Sequence, residues 1–181
     1  MTTMDELLSI YTRSGEQLYF GEAVSVTEHC LQAAHFASVA RAPEALVIAA
    51  LLHDVGHLIE PTPNDIDEWK VDAQHELAGG RWLAARFGPQ VSEPVRLHVP
   101  AKRYLCATDP AYFGKLSGAS VATLRLQGGP MSAAEVVAFE AEPYHRDAVL
   151  VRQCDDQGKI AGLRTADFAH YRALIERLAA T

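Results

Sequence analysis

The stretch ALVIAALLHDVGHL, residues 45–58, decides the fold. Its first eight positions, Ala45 to Leu52, are apolar without a break. Alanine and leucine are strong helix formers, and a helix apolar on every side belongs inside a packed core. Eight residues fall far short of the about 20 needed to cross a bilayer. Pro43 suits the first turn of this helix, and the pattern predicts that it continues through Leu58. The run closes on His53, Asp54 and His57, polar groups carried into the interior by the most buried helix. Such groups need partners there, so the stretch that sets the core also points to its chemistry.

Helical periodicity dominates outward from this centre. Leu7, Leu8 and Tyr11 predict a short amphipathic helix over Asp5–Arg13. Thr27 is read as the N-cap of a helix reaching about Arg41. Residues 60–71, with two prolines and many charges, read as a surface loop, and Asp72 as the cap of a helix through Phe87 that Gly88-Pro89 ends. Further helices are expected over Val91–Leu105, Ser117–Leu126, Ser132–Glu142, His145–Cys154 and Thr165–Ala179. No pair of alternating strands stands out, so the expected class is all-α, one domain over residues 1–181.

Composition excludes several functions. Hydrophobic residues make up 49% and charged residues 22% of the 181 positions, which is ordinary globular composition. With 23 acidic against 16 basic side chains the net charge is −7, the wrong sign for a phosphate backbone, so no nucleic-acid partner is expected. MTTMDELLSI lacks a basic n-region, so no signal peptide and no membrane are expected. Cys30, Cys106 and Cys154 form no paired motif and read as reduced packing residues, placing the chain in the cytoplasm.

The chemistry lies in the histidines. His53 and Asp54 are adjacent on the central helix, with His57 one turn on. His29 opens one predicted helix, His75 lies early in another, His98 in a third, and Asp155 after a fourth. Taken singly, each reads as a core or surface polar group. Brought together on inward faces, they would form the dimetal site that helical bundles support. Nitrogen and carboxylate donors without thiolate favour iron, manganese or similar ions over structural zinc. Arg103, beside Lys102, reads as part of a solvated helix face.

The series His29, His53-Asp54, His75, His98, Asp155 resembles the HD-domain superfamily in its six-ligand dimetal form. The stretches LYFGEA (18–23), EHCLQAAHFA (28–37), QHE (74–76), HVPAKRYL (98–105) and LQGGPM (126–131) bring the resemblance closer to the mixed-valent diiron oxygenases of organophosphonate catabolism, the PhnZ/TmpB family. It covers nearly the whole chain. The resemblance implies an HD-domain helical bundle in which those six residues hold two iron ions, Fe(II)/Fe(III), with Asp54 bridging and O2 as co-substrate. It implies oxidative cleavage of the C–P bond of a 1-hydroxyphosphonate. The two substrates that fit are (R)-2-amino-1-hydroxyethylphosphonate, giving glycine, and (R)-1-hydroxy-2-(trimethylammonio)ethylphosphonate, giving glycine betaine.

His57, Lys102, Ser120, Thr123 and Arg152 match the family's phosphonate contacts, a role that suits cations and hydroxyls facing a dianion. Tyr19 and Glu22 match its mobile pair, with Tyr19 guarding the metal and Glu22 facing the substrate's amino end. Tyr19, Glu22, His57 and Lys102 are thus the expected catalytic residues. The family also implies an upstream hydroxylase supplying the substrate. Two other readings use the same ligands: a dimetal HD phosphohydrolase acting on a phosphoester, and a non-catalytic metal-binding protein.

Overall fold

The computed structural model describes residues 2–60 and 74–179. In chain order the helices are α1 (Thr3–Ser14), α2 (Val26–Val39), α3 (Glu44–Leu52), α4 (Val55–Ile59), α5 (His75–Ala84), α6 (Pro89–Thr108), α7 (Gly118–Leu126), α8 (Ala133–Glu140), α9 (His145–Gln157) and α10 (Phe168–Leu178). No strand occurs among the described residues, only the isolated bridges Leu18–Ser25 and Phe87–Ala179. The class is all-α, as expected. The predicted loop beyond Glu60 and the Asp72 cap lie outside the described residues.

Helix α3 is the central element: Leu46 through Leu52 are all buried. Around it α1, α2, α5, α6, α9 and α10 contribute Leu7, Ala33, Leu83, Val95, Val151 and Ile175 to one apolar core. A smaller cluster of Leu97, Ala101, Phe139 and Ala148 joins α6, α8 and α9. Burial of this apolar surface, at roughly 25 cal/mol per Å², is what holds the helices together.

Four boundaries differ from expectation. The central helix does not run through to Leu58. It stops at Leu52 and restarts at Val55, with Asp54 at φ −100°, ψ 11° between the two pieces. Neighbouring residues of an unbroken helix point about 100° apart; the break lets both His53 and Asp54 turn inward. Helix α2 is capped by Ser25 rather than Thr27. The Ser25 hydroxyl accepts from Glu28 N–H, and the Glu28 carboxylate accepts from Ser25 N–H. That reciprocal box closes only on an acid or amide three residues on, and three beyond Thr27 stands Cys30.

Pro89 starts α6 instead of ending α5, with Gly88 as its N-cap. Helix α9 extends to Gln157, so Asp155 lies within its last turn. Arg152, Asp155 and Asp156 therefore share one helix face.

Candidate dimetal centre and anion pocket

Four helices and one helix break deliver the polar residues to the core. His29 comes from the first turn of α2, His53 and Asp54 from the α3–α4 break, His75 from the start of α5, His98 from mid-α6 and Asp155 from the end of α9. All six are buried. Asp54 stands between two groups. Its Oδ2 lies 3.6 Å from His29 Nε2 and 3.3 Å from His53 Nε2. Its Oδ1 lies 3.3 Å from His75 Nε2 and 3.7 Å from His98 Nε2. Asp155 Oδ1 joins the first group, 3.4 Å from His29 and 3.9 Å from His53.

Proton placement shows what these donors can hold. The Nδ1–H of His29 donates to Gly158 O (2.8 Å), that of His53 to Ala50 O (2.8 Å) and that of His98 to Val95 O (2.7 Å). A neutral imidazole has one N–H, so each of these rings presents a bare lone pair at Nε2. Yet the Nε2 atoms of His29 and His53 are 3.0 Å apart, and those of His75 and His98 3.1 Å apart. Asp54 Oδ2 and Asp155 Oδ1 are buried with no hydrogen-bond donor. Lone pairs and carboxylate oxygens converging this closely call for cations. A proton is a partial substitute: burial lowers the His53 pKa, but the Asp54 carboxylate outweighs it and carries His53 up to about 9. The donor set of imidazole nitrogens and carboxylate oxygens fits two iron-type ions.

A cavity opens onto the second group and onto Asp155. Asp54, His75, His98 and Asp155 line it, while His29 and His53 do not. Its far wall carries Lys102, Ser120, Thr123 and Arg152. Lys102 Nζ donates to Thr123 Oγ1 at 2.8 Å; burial and the Arg152 charge pull its pKa down to about 7. Arg152 pairs with Asp155 Oδ2 at 2.9 Å and is braced by Asp156 and by the Tyr112 oxygen. His57 stacks on His75, ring centroids 3.8 Å apart, and burial with the His75 charge holds its pKa well below the usual histidine range.

Tyr19 and Phe20 close the near wall. Tyr19 lies flat on His29 (3.9 Å, 16°), and Phe20 meets His57 edge-on at 4.7 Å. Phe20 has φ +42°, followed by Gly21 at φ +81°, a left-handed turn that an aromatic residue adopts at a cost. Burial, then the Asp54 carboxylate, keep the Tyr19 phenol well above its ordinary pKa. Of the expected substrate residues only Glu22 stays off the cavity wall; it sits on the same turn, its N–H donating to Tyr19 O.

Two cavity residues were missed by sequence reasoning. Gln127 lies in the LQGGPM stretch and brings a buried amide oxygen with no donor. Lys159 follows α9, and no motif marks it. Arg103 is a correction of another kind. It is not a solvated side chain: its Nε donates to Gly129 O (2.8 Å) and its NH2 to Glu135 (2.7 Å). It thus ties α6 to the left-handed Gly128-Gly129 turn, which explains the pairing of HVPAKRYL with LQGGPM.

An all-α bundle whose core gathers four imidazoles around a shared aspartate, beside a cationic pocket, carries a candidate dimetal site. The HD domain model matches residues 26–155. The [1-hydroxy-2-(trimethylamino)ethyl]phosphonate dioxygenase (glycine-betaine-forming) of Leisingera caerulea is 42% identical over 169 residues, 93% of this chain and 86% of the relative. The hydroxymethylphosphonate dioxygenase of Gimesia maris is 42% identical over 177 residues, 97% of this chain and 86% of the relative. An uncharacterized protein of Acanthamoeba polyphaga mimivirus is 32% identical over 174 residues, 95% and 80% of the two chains. The chain belongs to the HD-domain family and, within it, to the HD-domain oxygenases of phosphonate catabolism.

Proposed function

We propose that the protein is a non-haem diiron oxygenase that cleaves the C–P bond of a 1-hydroxyphosphonate with O2. The observation that carries this reading is a single cavity lined both by the Asp54–His75–His98 group and by Lys102, Ser120, Thr123 and Arg152. A substrate with an oxygen donor next to a phosphonate meets both sets of residues. The His29, His53, Asp54 and Asp155 set would hold one iron, and the Asp54, His75 and His98 set the other. A mixed-valent Fe(II)/Fe(III) pair there supplies Lewis acidity toward the substrate hydroxyl and an electron toward O2. In the balanced reaction the C–H and C–P bonds break, one oxygen is added to carbon and one to phosphorus. Phosphate, a carboxylate and one proton leave.

The chain's residues do the rest. Lys102 and Arg152 offset the phosphonate charge, and Ser120 and Thr123 give hydroxyl contacts. His57, held neutral, keeps its ring proton available to a phosphonate oxygen. Tyr19 and Phe20 cover the metal group until substrate enters, excluding water and idle oxygen chemistry. Their faces, with Glu22 on the same turn, suit an ammonium or trimethylammonium group on the substrate's far end. In this reading residues 1–181 act as one HD domain, in the cytoplasm, downstream of a hydroxylase. No described helix is long and apolar enough to cross a membrane.

The test is oxygen consumption and phosphate release by iron-loaded protein. The 2-amino- and 2-trimethylammonio-1-hydroxyethylphosphonates and hydroxymethylphosphonate are compared, with and without O2. Oxygen-dependent phosphate from at least one is expected. Phosphate released equally without O2, from these or from phosphoesters, overturns the oxygenase reading in favour of a phosphohydrolase.

A further inference from the structure

The segment after α9 is held with unusual definition for a loop. Gly158 O accepts from His29 Nδ1–H at 2.8 Å, and a Cβ on Gly158 would meet His29 O at 2.9 Å, so the strap lies directly on α2. Two residues on, the Gln32 side chain makes a double contact with Ile160: Nε2–H donates to Ile160 O (2.8 Å) and Oε1 accepts from Ile160 N–H (2.9 Å). Gln32 is itself buried within α2. The backbone is therefore tied to α2 on both sides of Lys159, which fixes where its side chain starts.

From there the side chain enters the cavity. Lys159 Nζ donates to Ser120 Oγ at 3.0 Å and lies 3.9 Å from Asp155 Oδ1. Arg152 NH2 approaches the same Ser120 Oγ at 3.4 Å. Two cations thus converge on one neutral hydroxyl, with more positive charge than that oxygen can use. Arg152 is already shared between Asp155 and Asp156, whereas Lys159 faces one carboxylate at long range. Its ammonium also lies 5.9 Å above the Tyr19 ring, linking the anion wall to the residue that covers the metal group.

We infer that Lys159, aimed by the Gln32 clamp, is a further phosphonate-binding residue that completes the anion subsite with Ser120 and Arg152. The inference rests on the oxygenase reading for its substrate, though not for its anion. Gln32 is a positioning residue, acting through the backbone of Ile160. Removing a charged hydrogen-bond donor from such a subsite weakens binding on the order of tenfold to a hundredfold.

The experiment pairs calorimetric titration of inorganic phosphate into iron-loaded protein with steady-state kinetics on the hydroxyphosphonates, for wild type, Lys159→Met, Lys159→Arg and Gln32→Met. In Lys159→Met, phosphate affinity is expected to fall by that factor, and a rise in KM to account for most of the loss in kcat/KM. Lys159→Arg restores most of both. Gln32→Met shows a smaller loss in the same sense, and iron content stays at the wild-type level throughout. Phosphate affinity and KM in Lys159→Met within twofold of wild type overturn the inference. So does loss of iron in that variant, which makes the residue structural. A wild-type protein that turns over no phosphonate, yet binds phosphate through Lys159, overturns the oxygenase reading and leaves the subsite standing.

Discussion

Gly56 of α4 lies directly beneath the backbone carbonyl of His75: a Cβ built on Gly56 would sit 1.9 Å from that oxygen and 2.7 Å from its carbon. The obstacle is backbone, which cannot swing aside as a side chain can. Gly79 completes the close approach from α5, with Gly56 N 3.2 Å from its own would-be Cβ. This contact sets the height of α5 and with it the 3.3 Å separation of His75 Nε2 from Asp54 Oδ1. Gly56→Ala is therefore expected to push α5 away, cost about 1–3 kcal/mol of stability, and empty the His75–His98 group while sparing the other. Metal analysis should show the metal-to-protein ratio fall by half. A full complement with wild-type stability would mean that the helices separate without moving His75.

The two carboxylates at the centre have unequal reach. Asp54 offers an oxygen to each group, whereas Asp155, among the four imidazoles, meets those of His29 and His53. Asp54→Ala should lose both ions and all oxygen-dependent turnover. Asp155→Ala should retain the ion held by His75 and His98. Colorimetric iron determination on the two variants tests the division, and full iron in Asp54→Ala would end the bridging assignment.

How much of this was legible follows from where each signal sits. The all-helical class was legible from the three- and four-residue periodicity along the chain, and the burial of α3 from its eight consecutive apolar residues. The inward meeting of His29, His53, Asp54, His75 and His98 was legible through the resemblance to the HD-domain pattern, since each residue taken singly reads as a core or surface polar group. The break at His53-Asp54 was not, since the helical periodicity runs across it without a proline, and tertiary contacts with the imidazoles turn Asp54 out of the helix. Lys159 was hidden for a related reason. Its position depends on Gln32, more than 120 residues earlier in the chain, and neither residue carries a local pattern. The Ser25–Glu28 box, by contrast, stood in the sequence as Ser-x-x-Glu, and Thr27 was preferred over it.

Lys102 should cost the fold stability. Buried on α6, its pKa stands at about 7, against an ordinary value of 10.5. Between those values the unfolded chain holds a proton there that the native protein has released, so this group makes stability rise with pH from about 7 to about 10.5. Below 7 both states are protonated, and the penalty of burying the ammonium is present in full. Lys102→Met should therefore raise stability at pH 6–7 by about 1–3 kcal/mol while impairing phosphonate binding, and the advantage should shrink toward pH 10. Denaturant melts of the metal-loaded proteins across that range measure it. A Met variant less stable at pH 6 would show that the Thr123 contact outweighs burial.

Arg152 allows geometry and charge to be separated. Its Nε donates to the Tyr112 oxygen at 3.1 Å, the Tyr112 hydroxyl donates to Asp156, and Asp156 accepts from Arg152 in turn. Tyr112→Phe removes one acceptor from the guanidinium and leaves every charge in place. A less firmly held Arg152 should raise KM for the phosphonate by about threefold to tenfold. Asp156→Asn keeps an acceptor oxygen toward Arg152 but deletes a negative charge beside the anion pocket, so it should lower KM. Opposite signs at unchanged iron content would establish that Tyr112 acts by orientation and Asp156 by charge. A rise in both variants would show that the carboxylate's hold on Arg152 matters more than its repulsion of the substrate.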